Sequence, residues 1–189
     1  MGNDLEKLFD NDWTLPIKVI YGGRRAGVTT LQNEINRLKQ KNEKKVAILG
    51  KIETKFKAPF DDLSYDIWSM NIHSDTEQIP RVDLWFDIHA KNPNPKADIK
   101  REDYPFKDAE NLVGGQYFNN SVSYMIAYAI LKGYTEIALY GMNFNHDKES
   151  RRGEYQNVRE LIFFAKGRGI NVTAPADKVM LQEYDYYGV

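Results

Sequence analysis

The sequence predicts an α/β protein built on a mostly parallel sheet of about five to six strands. Three observations carry that expectation. Short apolar runs alternate with amphipathic stretches along the chain. The apolar runs are continuous rather than alternating, as strands buried on both faces require. The amphipathic stretches repeat at helical spacing.

The elements follow in order. IKVIY (17–21) reads as a buried strand, and it leads through the glycine-rich GGRRAGVTT (22–30) into a helix with Leu31, Ile35 and Leu38 on one face. KVAILG (45–50) is a second strand, YDIWSMN (65–71) a third and VDLWFDIH (82–89) a fourth. Pro93, Pro95 and Pro105 then make the stretch AKNPNPKADIKREDYPF a long loop, of the kind that often serves as a lid or binding loop. SVSYMIAYAILKG (121–133) is a helix with Val122, Met125, Ile126, Ala129 and Ile130 on one face and Gly133 placed to cap it. EIALYGMNF (136–144) is a strand breaking at Gly141, residues 154–166 form a helix, and GINVTAP (169–175) closes the series as a strand. The architecture expected is a three-layer α/β/α, Rossmann-like single domain over 1–189. It comprises an N-terminal strand–loop–helix unit (1–44), a core (45–180) and a tail (181–189).

Composition narrows the functional classes. With 42% hydrophobic and 28% charged residues the chain is a folded globular protein rather than a disordered one. No apolar run approaches the roughly 20 residues that span a bilayer. The acidic opening MGNDLEKLFDND lacks the apolar core of a signal peptide, and Glu6 stands where a myristoylation signal needs Ser or Thr. A cytoplasmic protein without membrane partners is expected. The absence of cysteine excludes disulfides and thiolate chemistry. A net charge of −1 gives no global positive field for nucleic acid. A homo-oligomer is left open.

Parallel sheets bind ligands beyond the carboxyl ends of their strands, so the strand-end residues are the site candidates. GGRRAGVTT matches the P-loop pattern at Gly22, Gly27 and Thr29, but Val28 stands where the P-loop has lysine. Three readings stay open. It is a nucleotide kinase loop in which Arg24 or Arg25 replaces the lysine, with Mg²⁺ as cofactor. It is a phosphate cradle formed by Gly22, Gly23, Arg24, Arg25, Gly27 and Thr29 without kinase activity. Or it is a glycine turn that starts a helix. Lys51, Lys55 and Lys57, in a loop after a strand, suit an anionic ligand. His73, His89 and His146 all follow strands, and no spacing typical of a metal site joins them, so no metal is assigned. His146 is the candidate general base, because histidine titrates near neutrality and its loop leaves a rigid scaffold. Asp87, at the end of LWFD, is the second catalytic candidate. Asn71, Asn119, Asn120 and Asn143 sit at element ends, where a carboxamide can bond a base edge, a ribose hydroxyl or a phosphate. Asn120 equally suits an N-cap for the helix at Ser121.

The stretch YFNNSVSYMIAYAILKGYTEIALYGMNF resembles the C-terminal half of bacterial sialyltransferases of the Campylobacter type. It is also similar to hydroxymethylpterin pyrophosphokinases of the methanogen type. The longest resemblance, over roughly residues 45–180, is to small bacteriophage Rossmann-like proteins. It rests on the elements VAILG, APFDD, IWSMN, WFDIH and GYTEIALYGMNF. These resemblances imply a nucleotide or nucleotide-sugar ligand and glycosyl or phosphoryl transfer. They carry the nucleotide pocket to Gly50 and the loop after it (Lys51, Thr54), to Asn71, to Asn120 and Ser121, and to Gly141 and Asn143. In place of the G-x-x-P-S loop of the transferases this chain has GKIETK. A non-catalytic protein that binds a nucleotide or a host partner is the alternative.

Overall fold

The computed structural model describes residues 43–71, 76–91, 93–142, 149–175 and 181. The strand expected at 17–21, GGRRAGVTT and the helix after it lie outside the described residues, as do His73, Asn143 and His146.

Six strands form one sheet: β1 (Lys45–Leu49), β2 (Tyr65–Met70), β3 (Leu84–Asp87), β4 (Ile99–Lys100), β5 (Glu136–Tyr140) and β6 (Asn171–Thr173). Their order is β4-β3-β2-β1-β5-β6 and every pair is parallel, an α/β fold of Rossmann-like topology. From β1 the chain steps outward through β2, β3 and β4. It then returns past β1 to lay β5 on the opposite side, with β6 beyond. The order therefore reverses between β1 and β5.

The continuous apolar strands end up covered on both faces. On one face Val46, Ile48, Trp68, Met70, Phe86, Ile137 and Leu139 meet the described α-helices: α1 (Phe106–Val113), α2 (Ser121–Leu131) and α3 (Glu149–Gly167). Of the stripe expected on α2, Val122, Met125, Ile126 and Ala129 are buried and Ile130 is partly so, and α3 buries Val158, Leu161, Ile162 and Ala165. Tyr128 on α2 packs edge-on against both Trp68 and Phe86. On the other face Ala47, Leu49 and Ile67 pack with Ala58, Phe60 and Ile79. Ala58 follows a 3-10 helix, η1 (Glu53–Lys57). At about 25 cal/mol per Å² of apolar surface, this two-sided burial is the main stabilising term.

Two elements depart from expectation. The stretch read as a long loop contains β4, which adds Ile99 and Lys100 to the sheet edge, and the first residue of α1. Loop order comes from Asn94, which is buried. Its amide donates to Asp87 (2.8 Å) and its carboxamide oxygen accepts from the Lys96 amide (2.9 Å). Pro105 stands at the N-cap of α1, and Gly114, at φ 83, ends it in the left-handed conformation glycine favours.

Asn120 is the N-cap of α2. Its Oδ1 accepts from the Ser123 amide at 3.0 Å, while Nδ2 donates to Ser123 Oγ at 2.8 Å and to Asn157 Oδ1 at 3.4 Å. Asn157, buried on α3, in turn donates to the Tyr117 carbonyl (3.0 Å). Asn120→Ala removes the cap and the tie between helices. It is expected to lower unfolding free energy by about 1–2 kcal/mol in chemical denaturation. Asn120→Ser, which restores an accepting oxygen, should recover part of the loss.

Candidate functional site

The reversal of strand order between β1 and β5 opens a crevice at the carboxyl ends of the strands, where open α/β sheets bind ligands. A cavity of about 210 Å³ occupies it. Gly50 and Lys51 reach it from β1, Met70 and Asn71 from β2, His89 from beyond β3, and Gly141 and Met142 from β5. Asn119, Asn120, Ser121 and Val122 line it at the start of α2, and Glu154 lines it from α3.

Its floor is two crossing backbones. The Gly50 amide donates to the Tyr140 carbonyl (2.7 Å) and the Ile52 amide to the Gly141 carbonyl (3.2 Å). A Cβ on Gly50 would stand 2.2 Å from the Gly141 carbonyl oxygen, and Gly141 itself has φ 73. Only glycine permits this crossing, and it leaves the floor bare of side chains. Beneath it lies Lys55, fully buried, with Nζ 3.5 Å from the Lys51 carbonyl.

Asn71 turns the chain off β2 at φ 53, a left-handed conformation that asparagine tolerates better than most residues. Its backbone is held on both sides: the amide donates to the Phe86 carbonyl (2.8 Å) and the carbonyl accepts from the Trp85 indole (2.7 Å). Its carboxamide oxygen is buried without a hydrogen-bond partner among the described residues. A buried acceptor left unpaired costs about 1–3 kcal/mol, which a ligand donor would offset. At the opposite wall, the amides of Ser121 and Val122 open α2 and have no intrahelical acceptor. They place partial positive charge at the cavity edge.

Asp87 does not line the cavity. It is 5% exposed and contacts His89. One carboxylate oxygen accepts from His89 Nδ1 at 2.7 Å and the other from the Asn94 amide at 2.8 Å. Burial pushes the Asp87 carboxyl up, but the Asn94 amide and then the His89 ring outweigh it and hold the group below the usual carboxylate range. An ionised carboxylate only accepts, so the shared hydrogen sits on Nδ1 and His89 Nε2 carries the free lone pair. His89 itself is half exposed, at 57% of its side chain.

The Asn94 amide, and after it the His89 ring, make stability pH-dependent through Asp87. The folded state depresses the Asp87 pKa. Its contribution is therefore fully present above the unfolded carboxylate value and is lost as pH falls through the lower folded value. Asp87→Asn should be less stable than wild type at neutral pH, and the gap should close on acidification. Thermal melts of both proteins from neutral to strongly acid pH check this.

Of the residues singled out in the sequence, Gly50, Lys51, Asn71, His89, Asn119, Asn120, Ser121 and Gly141 come together in the cavity. Thr54 lies in η1 and does not line it, and Asp87 stands behind it. Gly22, Gly23, Arg24, Arg25, Gly27, Thr29, Asn143 and His146 fall outside the described residues. The pairing of His89 with Asp87 shows in the sequence only as their i, i+2 spacing, and the wall residue Glu154 and the Asn157 tie carry no signal there. Among the described residues no group of three or more His, Cys, Asp or Glu side chains could hold a metal ion, and no helix is long and apolar enough to cross a membrane. Comparison of the chain with protein-family models, with curated proteins and with solved structures finds no significant match.

Proposed function

We propose that the protein binds a nucleotide or nucleotide-sugar in the switch-point cavity and transfers a glycosyl or phosphoryl group from it. The observation that carries this reading is the convergence, at one reversal of strand order, of the bare Gly50–Gly141 floor, the α2 amides and the unpaired Asn71 carboxamide. The floor and the amides suit phosphate oxygens, which need close backbone approach and N–H donors. The Asn71 carboxamide suits a ribose hydroxyl or a base edge. The cavity is smaller than the roughly 300–1,000 Å³ of most small-molecule pockets, so it encloses one end of the ligand while the remainder lies along the rim. The resemblance to sugar-nucleotide transferases and bacteriophage Rossmann-like proteins points the same way.

His89, steered by Asp87, is the base on this reading. An acceptor hydroxyl gives its proton to Nε2 while its oxygen bonds to the transferred group. The bond from that group to the nucleotide phosphate breaks, and the electron pair leaves with the phosphate.

A thermal-shift screen across nucleoside mono-, di- and triphosphates and nucleotide-sugars tests the binding. At a hundredfold excess over Kd one of them should stabilise the protein by about 2.7 kcal/mol. Asn71→Gly keeps the left-handed turn and removes only the carboxamide, so it should weaken that shift. No stabilisation by any compound at millimolar concentration sinks the reading. Tight binding without turnover favours a non-catalytic nucleotide-binding protein instead.

A further inference from the structure

A second cavity, of about 490 Å³, lies between α1, the loop before α2 and α2 itself. It is lined by Arg101, Phe106, Glu110, Gln116, Tyr117, Phe118 and Tyr124. Its floor is aromatic. Phe118 stacks on Tyr124 at 4.7 Å, and Phe106 meets Tyr124 edge-on at 5.5 Å. Tyr104 closes the cluster from below, its hydroxyl donating to the Tyr124 carbonyl (2.8 Å). Polar groups stand above this floor. The side chains of Arg101, Glu110 and Gln116 and the hydroxyls of Tyr117 and Tyr124 have no hydrogen-bond or ion-pair partner among the described residues. Arg101 lies over the Phe106 ring, 5.2 Å from its centre. Tyr117 is anchored through its carbonyl by Asn157, which leaves its ring 42% exposed at the cavity mouth.

We propose that this cavity is a binding site for a neutral sugar ring, separate from the nucleotide cavity. The chemistry selects the class in three steps. Arg101 and Glu110 carry opposite charges at the same cavity, so a ligand with net charge gains from one what it loses to the other. The lining mixes a group that only donates (Arg101), one that only accepts (Glu110) and three that do both (Gln116, Tyr117, Tyr124). Neighbouring hydroxyls, each both donor and acceptor, satisfy that mixture, and a purely aromatic ligand leaves it unpaired. The exposed Tyr117 ring offers a negative π face to the C–H side of a pyranose. The site does not depend on the nucleotide reading, since the two cavities share no lining residue.

Saturation-transfer NMR on the full chain tests it, with glucose, galactose, N-acetylglucosamine and lactose as probes and tyrosine and arginine as zwitterionic and cationic controls. At least one sugar should receive saturation, strongest on the protons of one ring face. Tyr117→Ala should weaken that sugar's affinity at least tenfold. Glu110→Gln should weaken it as well, while nucleotide-induced thermal shifts stay as in wild type. Three results overturn the proposal. One is no transfer to any sugar at millimolar concentration from a protein shown to be folded. Another is sugar binding unchanged in both variants. The third is an amino acid that displaces the sugar or binds more tightly.

Discussion

Replacing His89 with alanine is expected to reduce group-transfer turnover by a factor on the order of 10²–10⁴, the usual contribution of a positioned general base, with the Kd of the nucleotide ligand nearly unchanged. The side chain is half exposed at the cavity rim and its ring hydrogen-bonds Asp87, so its loss should cost the fold far less than it costs turnover. Asp87→Asn should lower turnover by a comparable factor for a different reason. The amide that replaces the carboxylate must satisfy both the Asn94 N–H and His89 Nδ1. Its one oxygen takes the backbone donor, and its NH₂ then faces the ring. That reverses the tautomer and places the proton on Nε2, where the base has to be free. Single-turnover kinetics and binding measured in parallel separate the two effects. Turnover retained within a few-fold in both variants would remove His89 from the mechanism and return attention to His146.

The second large effect is on stability. Gly50→Ala is expected to lower unfolding free energy by about 3 kcal/mol or more, because overpacking against a backbone that cannot yield is among the costliest substitutions. The added methyl would sit 2.2 Å from a carbonyl oxygen and 2.7 Å from its carbon, both in Gly141. Relief requires parting β1 from β5, whose register is fixed from Lys45↔Glu136 to Leu49↔Tyr140. Gly167→Ala serves as the contrast. It lies at the end of α3, where an added methyl would meet no atom within 4 Å, and should leave stability unchanged or raise it by up to about 1 kcal/mol. Urea denaturation of the two variants beside wild type decides the matter, and equal midpoints for Gly50→Ala and wild type would contradict the crossing geometry.

The central strands are legible in the sequence because their burial on two faces makes KVAIL, YDIWSM and EIALY largely apolar rather than alternating. β4 is not, because two residues among prolines and charges carry no periodicity, and only pairing with Phe86 and Asp87 makes Ile99 and Lys100 a strand. α1 is hidden for a related reason. It is eight residues long and starts beside a proline that reads equally well as the end of a loop. At the site, Gly50, Asn71 and Gly141 can be singled out since a strand's carboxyl end is a position along the chain. The link between Asp87 and His89 is legible only as two residues on one side of an extended segment. Whether they touch depends on how the chain leaves β3. Glu154 and Asn157 come from a helix distant in sequence. Amphipathic spacing says which face of α3 is buried, and nothing about which polar residue at its margin reaches across to α2.

The placement of β1 at the middle of the sheet has a kinetic consequence. On one side it pairs with β2, the next strand of the core. On the other it pairs with β5, and the contact of Thr135 with Lys44 beside that junction closes 91 residues of chain. The entropy of closing so long a loop must be met before its contacts repay it, so the β1–β2–β3 half can assemble early while the β5 half docks late. The cavity belongs to both halves and comes into existence only at that last step. A ligand spanning Asn71 and Gly141 therefore has nothing to hold in the transition state for folding. It acts as a latch on the finished molecule, slowing unfolding without hastening its formation.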